Sequence, residues 1–383
     1  MCNFKIIGVR YFNEGFKAEY LNEVINMNSA RDTEGHGTFV ASIVAGNYVN
    51  DVSFFGYAKE TAKGVAPRAR LAIYKVYWGE KACFSDITTG IDKAISDGVD
   101  VICTSLGADD MPLENNAIAI ASFSAMKKGV LVATSAGNQG PVFGTVHNAF
   151  PWVLTVTAGS IDRWFVGNLT LGNGLTFHGW TMLPSNASFL NLPLVYNFTL
   201  SACNHILLNT MIDGIIICDE IGSISAQISY VTSSNVTGAI LIADNPKLIA
   251  VGGVPCPCPV IHSRDAPFVL DYAKAGNTPL ASMTFQDTIK GIKPAPVVAS
   301  YASRGPSPCI SSILKPDIMA PGSLVLGAWT PKIATARIRS DSLYSDYHIW
   351  YGTSVACPHV AGVIALLKGM PLIGVLLLLS LLL

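Results

Sequence analysis

Between residues 65 and 160, short apolar runs typical of strands alternate with longer helical patterns, and this alternation limits the possible folds more than any other feature. The strand-like run Arg70–Tyr77 precedes a helical pattern over Ile87–Asp97, with Ser85 as the expected N-cap and Gly98 as the stop. The remaining strands and helix of this series are expected at Val99–Cys103, Glu114–Lys128, Val130–Thr134 and Val153–Val156. This alternation predicts βαβ units and a parallel sheet.

The composition agrees with a large globular protein of this kind. The 383 residues suffice for roughly two to three domains. The 25 Lys and Arg residues balance 26 Asp and Glu residues, and the net charge of −1 excludes a nucleic-acid or anionic-membrane partner held by bulk charge. Charged residues make up 13%, roughly half the usual ~25%. Strands that are buried on both faces explain part of this deficit.

A different pattern begins near residue 165 and continues to about residue 290. Short strand-like runs such as Gly214–Cys218 and Gly238–Ile242 predominate there, which indicates an inserted, largely β domain. The α/β pattern resumes at Val297 and ends with a helix expected around Ser354–Lys368. The insert region also contains four Asn-x-Ser/Thr sequons, which are candidate glycosylation sites: Asn168, Asn186, Asn197 and Asn235.

The nine cysteines do not show the spacing of a metal site. Cys256 and Cys258 form a CxC without a second Cys/His pair nearby, so no tetrahedral zinc site is expected. Cys203 and Cys218, which flank a short loop, are the candidate disulfide. The sequence has no Asp-x-Asp-x-Asp calcium set and no GxGxxG after a strand, and His178, His205 and His262 lack paired spacing. We therefore expect no metal and no cofactor.

Three short segments carry the residue types of nucleophilic catalysis. His36 lies between two glycines before an apolar helical run, Asn138 follows the strand Val130–Thr134, and Ser354 follows a glycine at the start of a helix. A nucleophilic serine requires an imidazole base and hydrogen-bond donors for the oxyanion. The helix N-terminus at Ser354 supplies a backbone donor and a favourable dipole, and an Asn side chain can supply a second donor.

Each of the three residues also has an ordinary structural interpretation. A histidine between glycines is commonly structural, Asn138 in a glycine-rich turn is a common left-handed residue, and Ser354 is a common N-cap. Their joint occurrence in this order favours a catalytic set.

The longer motifs around these residues resemble the subtilase family, and most closely the plant subtilisin-like serine proteases. The motifs are RDTEGHGT at Arg31–Thr38, GVAPRARLAIYKV at Gly64–Val76, SAGNQGP at Ser135–Pro141, LKPDIMAPG at Leu314–Gly322 and GTSVACPH at Gly352–His359. The resemblance implies an endopeptidase in which His36 is the general base, Ser354 is the nucleophile and Asn138 donates to the oxyanion.

The resemblance further implies an α/β fold with a subtilisin-like doubly wound parallel sheet, interrupted by a protease-associated domain. The implied domains are 1–180 and 291–369 for the two parts of the catalytic domain, 181–290 for the insert and 370–383 for a separate tail. Substrates would be peptides or proteins, bound as an added strand beside two edges. The residues implied for these edges and for the walls of the S1 pocket are Ser105, Leu106, Gly107, Ser135, Ala136 and Gly137. Both segments have an alternative interpretation as ordinary turns between a strand and a loop.

Two features depart from the family pattern. Phe39 and Val355 replace the usual His and Met, which are apolar changes that the core should tolerate. In subtilases the triad Asp lies in a D-[ST]-G motif well before the His motif, whereas the only Asp before His36 is Asp32 of the RDTEGHGT motif. The sequence is therefore expected to begin after the catalytic acid and after a signal peptide, with an extracellular location for the parent protein. Loss of the acid costs about 10⁴-fold in kcat, so the alternative function is a peptide-binding module or pseudo-protease.

The leucine-rich tail after Gly369 has a separate explanation. Fourteen residues at 1.5 Å each give about 21 Å, which is short of the ~30 Å hydrocarbon core of a membrane. A coding sequence for Asp-Trp-Ser-Pro-Ala-Ala-Ile-Lys-Ser-Ala-Leu, which resembles the family's next segment, gives Ile373–Leu383 when it is read one base later. The tail is therefore expected to be an out-of-frame segment, and no membrane partner is expected. The oligomeric state is left open.

Overall fold

The computed structural model describes residues 2–107, 111–244, 256–275, 278–338 and 341–370. Its α-helices are α1 Glu14–Glu19, α2 His36–Ala45, α3 Phe84–Ser96, α4 Ala117–Lys127, α5 Ile224–Ser233, α6 Ala266–Ala275 and α7 Thr353–Lys368. Short 3₁₀ helices lie at Leu113–Asn115 and His205–Asn209.

The strands divide between the α/β part of the chain and a β-rich middle. They are β1 Ile6–Tyr11, β2 Val49–Phe54, β3 Tyr57–Ala62, β4 Leu71–Lys75, β5 Tyr77–Trp78, β6 Lys81–Ala82, β7 Val101–Thr104, β8 Leu131–Ser135, β9 Leu154–Gly159, β10 Arg163–Leu171, β11 Thr176–Trp180, β12 Ser188–Val195, β13 Ile215–Cys218, β14 Gly238–Ile242, β15 Val260–Ile261, β16 Leu280–Lys290, β17 Ile318–Pro321, β18 Val325–Ala328, β19 Ala336–Ile338, β20 Asp341–Leu343 and β21 Tyr347–Trp350.

A four-stranded parallel sheet forms the centre of the α/β part, with the strand order β17-β9-β8-β7. Alternate residues of β8 enter different apolar clusters, because successive side chains of a strand point to opposite faces. Val132 packs with residues of α3 and α4, whereas Ala133 packs with residues of α7. The sheet is thus covered by helices on both faces, as the βαβ pattern predicted.

The parallel strands do not form one continuous sheet. β1 and β4 pair in parallel with each other as a separate two-stranded sheet. Both sheets share the α3 layer, because Tyr74 and Val76, near β4, pack against the cluster that contains Ile87, Ile91 and Ile102. Among the described residues, β4 pairs only with β1 and β7 pairs only with β8. Within the described ranges, each of these strands therefore has one edge without a backbone partner.

Two helix starts differ from the sequence-based expectation. α3 begins at Phe84 with Cys83 as its N-cap, so Ser85 lies inside the first turn and the prediction of Ser85 as N-cap is wrong. The early start has a tertiary cause, because the Asp86 carboxylate in that turn accepts hydrogen bonds from the backbone N–H groups of Gly15 and Phe16. α4 begins later than expected, at Ala117, since a 3₁₀ turn occupies Leu113–Asn115.

The β-rich middle closes into a barrel with the strand order β10-β11-β15-β14-β13-β12-β16. The barrel begins at Arg163, ahead of the boundary expected at residue 181, because β10 pairs along most of its length with β16. Alternate residues of β13 fall into two apolar clusters, with Ile215 in one and Ile216 in the other. The cluster of Ile216 also contains Phe54 and Ile349, and therefore joins the barrel to the α/β part.

The barrel region contains the expected disulfide and the four sequons. Cys203 is bonded to Cys218, and a second disulfide joins Cys256 and Cys258. The sequon residues Asn186, Asn197 and Asn235 are exposed. Asn168 lies half-buried on β10, where its side chain bonds to Asp287 and His178.

None of the helices in the described ranges is long and apolar enough to cross a membrane. Except for Met370, the leucine-rich tail expected at residues 370–383 lies outside the described residues.

The start of α4 yields a test of local stability. Asn116 is buried, and its side-chain oxygen accepts a hydrogen bond of 3.0 Å from the Ala119 backbone N–H. Loss of such a cap costs about 1 kcal/mol. We expect Asn116→Ala to lower the free energy of unfolding in urea by that amount, and Asn116→Ser to lower it less. The control Asn115→Ala changes an exposed neighbour without a cap bond, and equal losses for Asn115→Ala and Asn116→Ala would contradict the assignment.

Candidate active site

His36 is the first residue of α2, and the turn before it is built around Asp32. One Asp32 carboxylate oxygen accepts from the backbone N–H groups of Glu34 and Gly35, each at 2.8 Å. The other accepts from the backbone N–H of Thr38 at 2.8 Å and from its hydroxyl at 2.7 Å. Asp32 thus satisfies donors that the start of a helix leaves without partners. Both carboxylate oxygens of Asp32 are therefore engaged by the turn that leads into α2.

Electrostatic effects act differently on Asp32 and His36. Burial raises the pKa of the Asp32 carboxyl, but the hydrogen bonds from Thr38, Glu34 and Gly35 outweigh this effect and lower the pKa overall. The pKa of His36 is lowered by burial, against the opposing charge of Asp32. The His36 imidazole is therefore biased toward the neutral form, which is the form that can accept a proton.

Gly35 is required for this turn by both conformation and space. Its φ of +93° lies in the left-handed region, and a Cβ atom at this position would lie 2.5 Å from the Trp329 ring. The Trp329 ring therefore packs against the turn that leads into His36. The His36 ring itself packs edge to face with Trp350, with ring centroids 5.5 Å apart and an interplanar angle of 86°.

Ser354 lies in the first turn of α7, two residues after a glycine with positive φ. Gly352 has a φ of +142°, and its N–H donates to the Gly322 carbonyl at 2.8 Å. This sharp turn between β21 and α7 places Ser354, which is half-buried, among the first N–H groups of the helix. The Thr353 N–H donates to the Asn138 side chain, and the Val355 and Ala356 N–H groups donate to the Gly352 carbonyl. Among the described residues this leaves the Ser354 N–H, at the positive end of the helix dipole, to favour a negative charge beside the Ser354 hydroxyl.

Asn138 is bonded directly to the start of α7. Its side-chain oxygen accepts from the Thr353 backbone N–H at 2.9 Å and from the Thr353 hydroxyl at 3.1 Å. A backbone N–H can only donate, so this pairing assigns the oxygen of the Asn138 amide and leaves its Nδ2 as the donor. A Cβ atom built on Gly352 would lie 3.2 Å from the Ser354 hydroxyl oxygen and 3.6 Å from Asn138 Nδ2. The nucleophile candidate and the oxyanion donor candidate are therefore neighbours.

The two segments predicted as substrate edges are held together by Asn148. Its side-chain amide donates to the carbonyls of Leu106 at 2.7 Å and of Ser135 at 2.9 Å. The Ser135 hydroxyl also donates to the Leu106 carbonyl. Ser105–Gly107 and Ser135–Gly137 therefore lie side by side. A Cβ on Gly107 or on Gly137 would lie less than 3 Å from the His147 ring, so this ring occupies the space between the two glycines.

The structure thus brings together Asn138, Ser354 and both substrate-edge segments. The His36 ring contacts the Trp350 ring, and within the described residues it makes no hydrogen bond to the Ser354 hydroxyl. The sequence analysis missed four residues here, namely Thr353, Asn148, His147 and Trp350. Thr353 lies inside the Ser354 motif and Trp350 lies two residues before it, but only the fold shows what they contact.

Several histidines considered at the sequence level lie away from this site. His178 bonds to Asn168 and His262 bonds to Asp244, both in the barrel region. Within the described ranges, no group of three or more His, Cys, Asp or Glu residues is arranged to hold a metal ion.

Comparisons with known proteins identify the family. The model of peptidase S8, the subtilase family, matches residues 10–371. Subtilisin-like protease SBT3 of Solanum lycopersicum is 47% identical over 96% of this chain and 49% of its own length. Subtilisin-like protease SBT1.9 of Arabidopsis thaliana is 41% identical over 96% of this chain and 51% of its own length. The chain therefore belongs to the subtilase family, and it spans about half the length of these relatives.

Among solved structures, the similarity is lower. Sphericase shares 19% sequence identity with this chain at a TM-score of 0.41, covering 94% of this chain and 76% of that one. The family assignment rests on the sequence matches.

The Asn148 contacts predict a measurable cost. Asn148 is buried with φ +52°, and its removal would leave two carbonyls without this donor. We expect Asn148→Gly, which tolerates positive φ, to lower the free energy of unfolding by about 1–3 kcal/mol. Asn148→Ala should cost more, since it adds backbone strain. A glycine variant as stable as the unmodified chain in urea unfolding would show that the amide does not hold the two segments.

The Asp32 turn predicts a dependence of stability on pH. A carboxyl whose pKa is lower in the folded state contributes stability above its unfolded pKa of about 3.9, and this stability is lost as the pH falls through the folded value. We expect Asp32→Asn to cost about 1–2 kcal/mol at pH 7, and to lose less stability than the unmodified chain between about pH 5 and pH 2. Urea unfolding across that range measures both, and parallel pH curves for the two chains would refute the role of Asp32.

Proposed function

We propose that this chain is the catalytic part of a subtilisin-type serine endopeptidase. In this proposal the Ser354 hydroxyl attacks the carbonyl carbon of a peptide bond while His36 takes its proton. His36 then passes that proton to the departing amine, which leaves an acyl group on Ser354. Water hydrolyses this ester by the reverse set of proton transfers, again through His36.

The observation that carries the proposal is the pair of Thr353 hydrogen bonds to the Asn138 oxygen. They fix the amide so that Nδ2 is free to donate on the side of Ser354. A donor that is already oriented stabilises the developing oxyanion without reorganisation during the reaction. The backbone N–H of Ser354, in the first turn of α7, would be the second donor for the same oxygen.

Substrates would be peptides or proteins that bind in extended form beside the segments Ser105–Gly107 and Ser135–Gly137. The carbonyl and N–H groups of such edges can pair with a substrate backbone as an added strand. Asn148 supports this arrangement because it holds the two segments at a fixed separation. We further propose that the barrel from β10 to β16 is a protease-associated domain and that the parent protein is an extracellular glycoprotein.

A second candidate function is peptide binding without efficient hydrolysis. Within the described residues, no carboxylate accepts a hydrogen bond from the His36 ring, and Asp32 is fully engaged by the turn. β4 and β7 each also present an edge without a backbone partner, and such edges accept extended peptides. This candidate keeps the substrate edges but predicts an unreactive Ser354.

A fluorophosphonate probe separates the two candidates, because it reacts with serines that are activated by a base. Covalent labelling of Ser354, located by mass spectrometry and absent in Ser354→Ala, supports the enzyme. A folded chain that binds extended peptides but leaves Ser354 unlabelled supports the binding module. Circular dichroism of the same sample provides the control for folding.

Asn138 gives a quantitative prediction for the enzyme. Removal of a single oxyanion donor costs about 10²–10³ in kcat. We expect Asn138→Ala to slow hydrolysis of a chromogenic peptide by this factor with little change in KM, because the donor acts mainly on the transition state. Gln139→Ala, a change in the exposed neighbouring side chain, is the matched control. An Asn138→Ala variant with unchanged kcat would remove Asn138 from the mechanism.

A further inference from the structure

Trp350 contacts the proposed base and lies on the strand that precedes the proposed nucleophile, and the reaction scheme does not use it. It is the last residue of β21, two positions before Gly352 and four before Ser354. Its side chain contacts the His36 ring at the start of α2. One residue of the strand that leads to the nucleophile therefore touches the proposed base.

The contact is directional. The His36 and Trp350 rings are 5.5 Å apart with an interplanar angle of 86°, which is an edge-to-face arrangement. Such pairs are favoured by the opposite partial charges of a ring's face and edge, so they prefer particular orientations and not only proximity. Since the His36 ring has no hydrogen bond to a side chain within the described ranges, this contact is its clearest orienting interaction.

The Trp350 ring is itself held in place from other sides. Phe39, one turn after His36 on α2, packs edge to face on Trp350 at 5.6 Å and 85°. Trp329 packs on it at 4.9 Å and 81°. Trp329 also fills the space beside Gly35, where a Cβ atom has no room. The Trp350 indole is therefore held by two other aromatic rings. A ring held in this way can restrict the orientation of the His36 ring that it contacts.

We propose that Trp350 is a positioning residue that sets the orientation of the His36 imidazole toward Ser354. This inference rests on the proposed function, because it assigns the orientation of the base in that reaction. Small errors in the placement of a base cost large factors in rate. Trp350 and Ser354 belong to one short segment, so a shift of that segment moves the orienting ring and the nucleophile together.

The test compares Trp350→Met, which approximately keeps apolar volume without a ring, with Trp350→Phe, which keeps an aromatic ring. Trp164→Met is the matched control, since Trp164 stacks on His262 at 6.2 Å in the barrel and away from the site. We expect Trp350→Met to lower the rate constant for fluorophosphonate labelling of Ser354, and kcat for a peptide, by about tenfold with KM nearly unchanged. Trp350→Phe should recover most of this loss, and Trp164→Met should lose nothing.

A spectroscopic measurement makes the result independent of activity. The ring-proton signals of His36, identified in NMR spectra by their absence in His36→Gln, should shift in Trp350→Met and in Trp350→Phe because the ring current of the indole is lost or reduced. They should stay unchanged in Trp164→Met. Unchanged His36 signals in Trp350→Phe overturn the proposal, also when Trp350→Met does not fold.

The outcomes separate this inference from the proposed function. Absence of labelling in the unmodified chain contradicts the enzyme, while a shift of the His36 signals in the two Trp350 variants still supports the contact. Labelling of the unmodified chain and of a folded Trp350→Met at equal rates overturns the positioning role and leaves the enzyme standing. A Trp350→Phe variant that is as slow as Trp350→Met also overturns it, because an aromatic ring should rescue the orientation.

Discussion

The hydrogen bonds from Thr353 to Asn138 are the interaction on which the proposed site depends. They join residues 215 positions apart in the chain, one in the loop after β8 and the other in the first turn of α7. The Gly137 N–H donates to the same Thr353 hydroxyl, so the loop is tied to the helix at two neighbouring residues. A nucleophile on one element and an oxyanion donor on another can cooperate only if their separation is fixed, and this network fixes it directly.

The packing beneath the site supports that network. α7 lies against the four-stranded parallel sheet, and Ala356, Cys357 and Val360 share a buried cluster with Ala133 of β8 and Val156 of β9. The carboxyl end of β8 and the N-terminus of α7 therefore move as one packed unit. By contrast, apolar packing joins the helix of the proposed base to α7, because Phe39 and Ile43 of α2 share a buried cluster with Val355. The His36 ring adds an aromatic contact with Trp350. In the proposed site, hydrogen bonds hold Asn138 against the start of α7, whereas aromatic packing holds the His36 ring against Trp350.

Local patterns in the sequence predicted the helices and strands of the α/β part well, because apolar spacing depends mainly on neighbouring residues. These local patterns failed where contacts between residues far apart in the chain determine where an element begins. The start of α3, for example, follows from hydrogen bonds between the Asp86 carboxylate and the backbone of α1. At the site, motifs drew attention to His36, Asn138 and Ser354, whereas the residues that hold or orient them required the fold. Their roles are contacts across space, and these have no signature in local spacing.

The most direct test of the account is a crystal structure of the chain in which Ser354 carries a peptidyl boronate. The boronate oxygen stands in for the oxyanion of the tetrahedral intermediate. The account predicts this oxygen about 2.7–3.1 Å from Asn138 Nδ2, with both Thr353 hydrogen bonds to Asn138 Oδ1 intact. A boronate oxygen that bonds to other groups while the Asn138 amide points away from Ser354 would contradict the account.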